Sequence, residues 1–83
     1  MWYYITKYSF SANKHAVGPF KTEADAWRDM EAIAVKEFES DLKNGFLSEL
    51  YVERESGEIF ILNYYGANTN NPADKTEFFL FEI

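Results

Sequence analysis

Residues 22–43 form the only long stretch with a helical period, and this segment constrains the fold of the 83-residue chain more than any other feature. Thr22 suits the start of a helix because its hydroxyl accepts hydrogen bonds from the free backbone N–H groups of the first turn. At the other end, Lys43 complements the helix dipole, and Asn44 and Gly45 tolerate the left-handed conformation that ends many helices. A helix of this length spans about 33 Å, which is enough to cross a small sheet.

Helical spacing predicts which side of this helix faces the core. At about 100° per residue, one side gathers an apolar stripe that we predict to be the core face: Ala24, Trp27, Ala34, Val35, Phe38 and Leu42. The opposite side carries charged residues that we predict to be exposed to solvent: Asp25, Arg28, Asp29, Lys36, Glu39 and Lys43.

Two features depart from this two-sided pattern. Glu31 falls inside the apolar stripe, one turn after Trp27, so its carboxylate is either buried with a partner or at the edge of the stripe, and it is a candidate buried carboxylate. Such groups act as general acids in some enzymes, but more often they are structural and hydrogen-bonded, and we favour the structural role. A narrow second stripe of Ala26, Met30 and Ile33 lies outside the predicted core face, and it is a candidate partner-binding surface.

The segments on either side of the helix have the composition and alternation of β-strands. Residues 2–10, 47–55 and 76–83 are predicted strands, and residues 15–17 are a candidate short strand. The first and last of these are apolar on both faces, which predicts that they lie side by side at the centre of the sheet.

The residues Glu55-Ser56-Gly57 predict a hairpin with a three-residue loop, in which Arg54 lies opposite Glu58. A two-residue loop would instead place two glutamates opposite each other. The favoured register predicts a core face of Leu50, Val52, Phe60 and Leu62. It leaves an outer surface that we predict to bind a partner: Glu49, Tyr51, Glu53, Ile59 and Ile61.

Together these patterns predict a single α+β domain over residues 1–83, with the element order β(β)αβββ. We expect one long helix packed on one face of a four- to five-stranded, mainly antiparallel sheet, with strand order 2-1-5-4-3. A single helix covers only one face, so the other face is predicted to expose aromatic residues rimmed by carboxylates.

The net charge of −6 is unevenly distributed along the chain. Residues 1–21 contain three lysines and no acid, whereas the rest contains fourteen acidic residues against five basic ones, a net of −9. This surface repels phosphate and attracts basic protein, so a basic protein partner is predicted and nucleic acid is not. Single-stranded nucleic acid remains a third alternative, through base stacking on Trp2, Tyr4 and Tyr8 beside the N-terminal lysines.

The sequence offers little for catalysis. It contains no cysteine and one histidine, its four glycines are isolated, and no Gly-rich phosphate loop or nucleophile motif occurs. We therefore predict no enzyme activity, no cofactor and no metal. A helix needs about 20 consecutive apolar residues to span a bilayer, and no apolar run in this sequence is nearly that long. A cytoplasmic location without membrane contact is therefore expected.

The run from Gly18-Pro19-Phe20 through the start of the helix, followed by Ser56-Gly57-Glu58-Ile59 and the C-terminal strand, resembles short uncharacterised proteins of bacterial prophages and mobile elements. In size, acidity and topology the chain is also similar to small acidic anti-CRISPR-type inhibitors, which bind effector complexes. The resemblance implies an inhibitor or accessory protein that is not catalytic. The alternative is a homodimer that buries two open sheet faces or two copies of the Ala26, Met30 and Ile33 stripe.

Overall fold

The computed structural model describes residues 1–9, 11–12, 14–64, 72 and 74–83. The elements are β1 (Trp2–Tyr8), β2 (Lys14–Phe20), α1 (Glu23–Lys43), β3 (Leu47–Glu53), β4 (Glu58–Tyr64) and β5 (Asp74–Glu82). The five strands form one antiparallel sheet in the order β2-β1-β5-β4-β3, with α1 on one face. The predicted fold class and strand order are confirmed. Phe10, the last residue of the predicted first strand, lies outside the described residues.

Both ends of α1 lie where the sequence places them. The Thr22 hydroxyl accepts a hydrogen bond of 3.1 Å from the backbone N–H of Asp25, which satisfies one free donor of the first turn. The backbone N–H of Asn44 donates to the carbonyl of Ser40 at 3.0 Å, and the N–H of Gly45, whose φ is 90°, donates to the carbonyl of Leu42 at 3.1 Å. No helix in the part of the chain that the structure describes is long and apolar enough to cross a membrane.

The predicted rotation of the helix about its axis is wrong. Ala26, Met30 and Ala34 are 0% exposed, so Ala26 and Met30 belong to the core and cannot form a partner-binding stripe. Leu42, predicted to be buried, is 45% exposed. The true core face is rotated by about 70° from the predicted one. Of the proposed second stripe only Ile33 is exposed, at 44%.

Glu31 is not a buried carboxylate, because its side chain is 45% exposed. Its Oε2 accepts a hydrogen bond of 2.6 Å from the indole Nε1 of Trp27, and it lies 3.9 Å from the guanidinium of Arg54. Glu31 still has a structural role. It lies on a partly exposed side of α1, and its hydrogen bond to the indole Nε1 holds the buried Trp27 ring in place.

The hairpin between β3 and β4 differs from the prediction by one residue. Glu53 pairs with Glu58 across a four-residue turn, residues 54–57, and Gly57 in that turn has a φ of 72°. A shift of one residue moves every side chain to the other face. Ile59 and Ile61, predicted to face a partner, are therefore buried under α1 at 1% and 0% exposure.

Two local contacts support the observed register. The Ser56 hydroxyl lies 3.4 Å from a carboxylate oxygen of Glu53 and of Glu58, which moderates the repulsion between the paired acids. The Gly57 carbonyl accepts a hydrogen bond of 2.8 Å from the backbone N–H of Leu80, so the turn is anchored to β5. Solvent around the exposed Glu53 and the partly exposed Glu58 limits the repulsion between these opposed glutamates.

The core between α1 and the sheet consists of Tyr4, Trp27, Met30, Ala34, Ile59, Ile61 and Phe78. Tyr4 is 2% exposed, and its hydroxyl donates to Asp29 Oδ2 at 2.7 Å. Burial, and then the hydrogen bond to the Asp29 carboxylate, raise the pKa of Tyr4. Tyr4 is thus a core residue and cannot stack on a nucleic-acid base as the third alternative required.

We expect Met30→Ala to lower the free energy of unfolding by about 2–5 kcal/mol, because it leaves a cavity in the core. Ile33→Ala, one turn away on the exposed side, is the matched control and should change it by less than about 1 kcal/mol. Urea denaturation followed by circular dichroism measures both. Equal effects of the two substitutions would contradict the observed rotation of the helix.

Candidate interaction surface

The face of the sheet opposite α1 is apolar, and none of the described helices or strands lies on it. Strand alternation places six half-buried side chains on this open face: Tyr3, Ile5, Phe60, Leu62, Phe79 and Phe81. The rings of Tyr3 and Phe81 stack with centroids 5.6 Å apart. These side chains pack against one another and remain partly exposed to solvent.

On the β3 and β4 half of the open face, carboxylates surround a pair of stacked rings. The rings of Tyr51 and Phe60 have centroids 4.9 Å apart and an interplanar angle of 17°. Glu49, Glu53 and Glu58 lie on the same face of these two strands. We call these five residues the acidic aromatic patch.

Hydrogen bonds keep the Glu49 carboxylate of this patch charged. The Tyr51 hydroxyl donates to Glu49 Oε2 at 2.7 Å. Hydrogen bonds from the hydroxyls of Tyr51 and Tyr64 hold the pKa of Glu49 below its ordinary value. The same bond to Glu49 raises the pKa of Tyr51, so the phenol stays neutral and keeps donating. Glu49 is accordingly anionic across the neutral pH range.

The charges of the open face are separated from one side of the sheet to the other. Lys7 and Lys14 are cross-strand partners on β1 and β2, whereas the acidic aromatic patch occupies β3 and β4. Between them Lys75 lies 4.8 Å from the Phe60 ring centroid and 3.9 Å from the Glu77 carboxylate. The open face therefore has an acidic half and a basic half.

The predicted site residues separate into two groups in the structure. Glu49, Tyr51 and Glu53 lie together in the acidic aromatic patch, while Ile59 and Ile61 lie beneath it on the helix side. Glu58 and Phe60 also belong to the patch, but the sequence analysis did not predict this. The predicted three-residue loop placed Phe60 on the core face and Glu58 opposite Arg54. Ile33 is isolated on α1, on the other side of the sheet from the patch. Within the sequence, the run Ile59-Phe60-Ile61-Leu62 is apolar at every position, so periodicity could not have revealed which pair faces outward.

A groove of about 830 Å³ runs along one flank of α1 and ends at the β3–β4 turn. Its walls are partly apolar and partly charged: Glu23, Ala24, Trp27, Arg28, Glu31, Ala32, Val35 and Arg54. The Arg54 guanidinium lies 5.1 Å from the centroid of the Trp27 ring and closes that end of the groove. Ala24 and Val35 of the stripe predicted to face the core line the groove instead, whereas Trp27 and Ala34 of the same stripe are buried as predicted.

Under the C-terminal half of α1 the core becomes polar. Asn63 is 4% exposed; its Nδ2 donates to Asp41 at 3.0 Å and to Asp74 at 2.9 Å, and its Oδ1 accepts from Ser48 at 2.6 Å. Every buried side-chain polar atom among the described residues has a partner. No group of three or more acidic or histidine side chains in the described part of the chain is arranged to hold a metal ion. The Asp41 bond of this polar cluster joins α1 to the sheet, and the other two bonds join β4 to β5 and β3 to β4.

Glu37 faces this cluster at a cost to folding. Burial, and then the negative charge of Asp41, raise the pKa of Glu37 above its ordinary value. A carboxyl group with a raised folded-state pKa contributes most to stability below its unfolded pKa, and the contribution is lost as pH rises through the folded pKa. At neutral pH the ionised Glu37 therefore destabilises the native state.

We expect Glu37→Gln to unfold at a higher urea concentration than the wild type at pH 7, because the amide removes a partly desolvated charge. The exposed Glu39→Gln is the control for lowering the net negative charge. The advantage of Glu37→Gln over this control should shrink toward zero near pH 4, about the unfolded pKa of a glutamate. An advantage that is equal at both pH values would rule out the raised pKa as its cause.

Comparison with protein-family models, with curated proteins and with solved structures gives no match for this chain. No function is carried over from a relative, so the function must be argued from the charges and shape of the surfaces described above.

Proposed function

We propose that the chain is a non-catalytic binding module whose acidic aromatic patch docks on a basic surface of another protein. The proposal rests on the stacked rings of Tyr51 and Phe60 on the open face of the sheet. Three carboxylates lie around these rings: Glu49, Glu53 and Glu58. Aromatic rings at the centre and charges at the rim are the arrangement found in many protein interfaces.

The charges of the patch favour a basic partner. Tyr51 is 38% exposed, and it holds Glu49 in place through their hydrogen bond. A pre-ordered carboxylate loses little side-chain entropy when it pairs with a lysine or arginine of a partner. Net charge of −9 beyond residue 21 adds long-range attraction, which raises the association rate.

Within this class we propose an inhibitory or accessory role, as the sequence resemblance led us to expect. A small domain that covers a basic, nucleic-acid-binding surface with carboxylates would block it by occupying the positions of phosphates. The proposal needs no cofactor.

We expect the double substitution Glu49→Lys, Glu53→Lys to abolish capture of basic proteins from a cell extract by immobilised protein. The control Glu39→Lys places the same kind of charge change on the solvent side of α1 and should leave capture intact. Partners are identified by mass spectrometry at low and high salt, and capture by the wild type should fall as salt rises. The same proteins recovered by all three forms, or none at low salt, would overturn the proposal.

A second candidate is a homodimer formed by two open faces. The observation that favours it is the separation of charge across this face, with Lys7 and Lys14 on one half and the acidic aromatic patch on the other. A two-fold axis parallel to the strands would set the basic half of one copy over the acidic half of its partner.

For the homodimer, light scattering should give twice the monomer mass at micromolar concentration, and Lys7→Glu with Lys14→Glu should return it to the monomer. A mass that stays monomeric at every concentration tested would remove this candidate and leave the first.

A further inference from the structure

The two edges of the sheet are built differently. Edge strands expose unpaired backbone groups, and proteins block them with proline, lysine or irregular register. β2 has all three, since Pro19 lacks an N–H, Lys14 carries a charge, and the pairing with β1 shifts between Trp2 and Tyr4. The β2 edge is thus protected against a further strand.

The β3 edge lacks proline, lysine and a register shift, and its two charged side chains, Glu49 and Glu53, are both acidic. All seven of its residues pair with β4. Three of its side chains are large, apolar and exposed: Leu47 at 46%, Tyr51 at 38% and Val52 at 47%. No strand of the described chain lies outside it. β3 is a regular, open edge with apolar side chains.

We infer that β3 accepts an extended basic segment of the partner as a sixth strand; this inference rests on the proposed function. Glu49 and Glu53 point to the same face of β3, four residues and about 13 Å apart, with Tyr51 between them. An added strand sets its own alternate side chains beside these three. The matching segment has two lysines or arginines separated by three residues, with an apolar or aromatic residue midway.

The helix side of β3 also suits an added strand. Alternate side chains of that strand point toward α1, where the groove between the helix flank and Arg54 lies. Ala24, Trp27, Ala32 and Val35 supply its apolar wall. Val52 is 47% exposed at this end of β3 and offers a neighbouring apolar contact. The partner segment should therefore carry apolar side chains between its basic ones.

Charge argues against a second copy of this chain on the same edge. Pairing the β3 strands of two copies would place the Glu49 and Glu53 side chains of both copies on adjacent strands. It would also join two chains that each carry a net charge of −6. Like charges on adjacent strands are destabilising. A basic segment removes this repulsion and replaces it with attraction.

The test uses the peptide acetyl-Thr-Lys-Val-Tyr-Val-Lys-Thr-amide, added to the isotope-labelled full chain and followed by NMR. Amide signals of β3 should shift on titration. Two further peptides carry N-methyl groups, one on both valines and the other on both lysines. In an added strand only alternate residues turn their N–H groups toward the neighbouring strand. One methylated peptide should therefore bind more than about tenfold more weakly, and the other should keep most of its affinity.

A charge exchange supplies the second arm. The variant Glu49→Lys, Glu53→Lys should prefer the peptide in which both lysines are replaced by glutamate, while Glu39→Lys should keep the preference of the wild type for the lysine peptide. Circular dichroism checks that each variant is folded.

Three results would overturn the inference. If the lysine peptide shifts only open-face signals such as those of Phe60 and Lys75, and both methylated peptides bind equally, the proposed function stands but strand addition does not. Dilution-dependent shifts of β3 without peptide would identify a second copy as the occupant. If no peptide shifts any signal while extract proteins are still captured through the patch, the edge is not the docking element.

Discussion

A single helix can cover only one face of a five-stranded sheet, and the rest of the structure depends on this limit. On the covered face, Met30 packs against Ile59, Ile61 and Phe78, which are all nearly inaccessible to solvent. On the other face aromatic side chains stack on one another, and no described helix or strand covers them. A chain of this size gains its stability mainly from the first face, which leaves the second available for binding.

The covered face is itself divided along α1. Its N-terminal half is apolar around Met30, whereas its C-terminal half buries Asn63 between the carboxylates of Asp41 and Asp74. Buried polar groups add little net stability, but leaving one unpaired is costly, so such a cluster fixes how the helix lies on the sheet. Burial beside this cluster, and then the negative charge of Asp41, raise the pKa of Glu37, so the ionised group opposes folding.

The sequence predicted the fold class, the strand order and the ends of α1. It did not predict the rotation of α1 about its axis or the register of the β3–β4 hairpin. Capping residues located the ends of α1, and the apolar first and last strands identified the centre of the sheet. The helix rotation was wrong because the half-buried Glu37 and Asp41 continue the true core stripe beyond Ala34, and these two acidic residues interrupt the apolar pattern that the prediction followed. The hairpin was wrong because residues 59–62 are apolar throughout, so only turn length distinguished two registers one residue apart. Glu49, Tyr51 and Glu53 were placed correctly on the outer face because their strand alternates clearly.

The most direct test of a sheet with one dry and one open face is solvent paramagnetic relaxation in NMR, with a soluble gadolinium chelate added to the dilute protein. We expect strong relaxation of the ring protons of Phe60 and Phe81, and almost none for Phe78 or for the methyl groups of Ile59 and Ile61. Strong relaxation of the two isoleucines, with protection of Phe60, would contradict the register and with it the acidic aromatic patch.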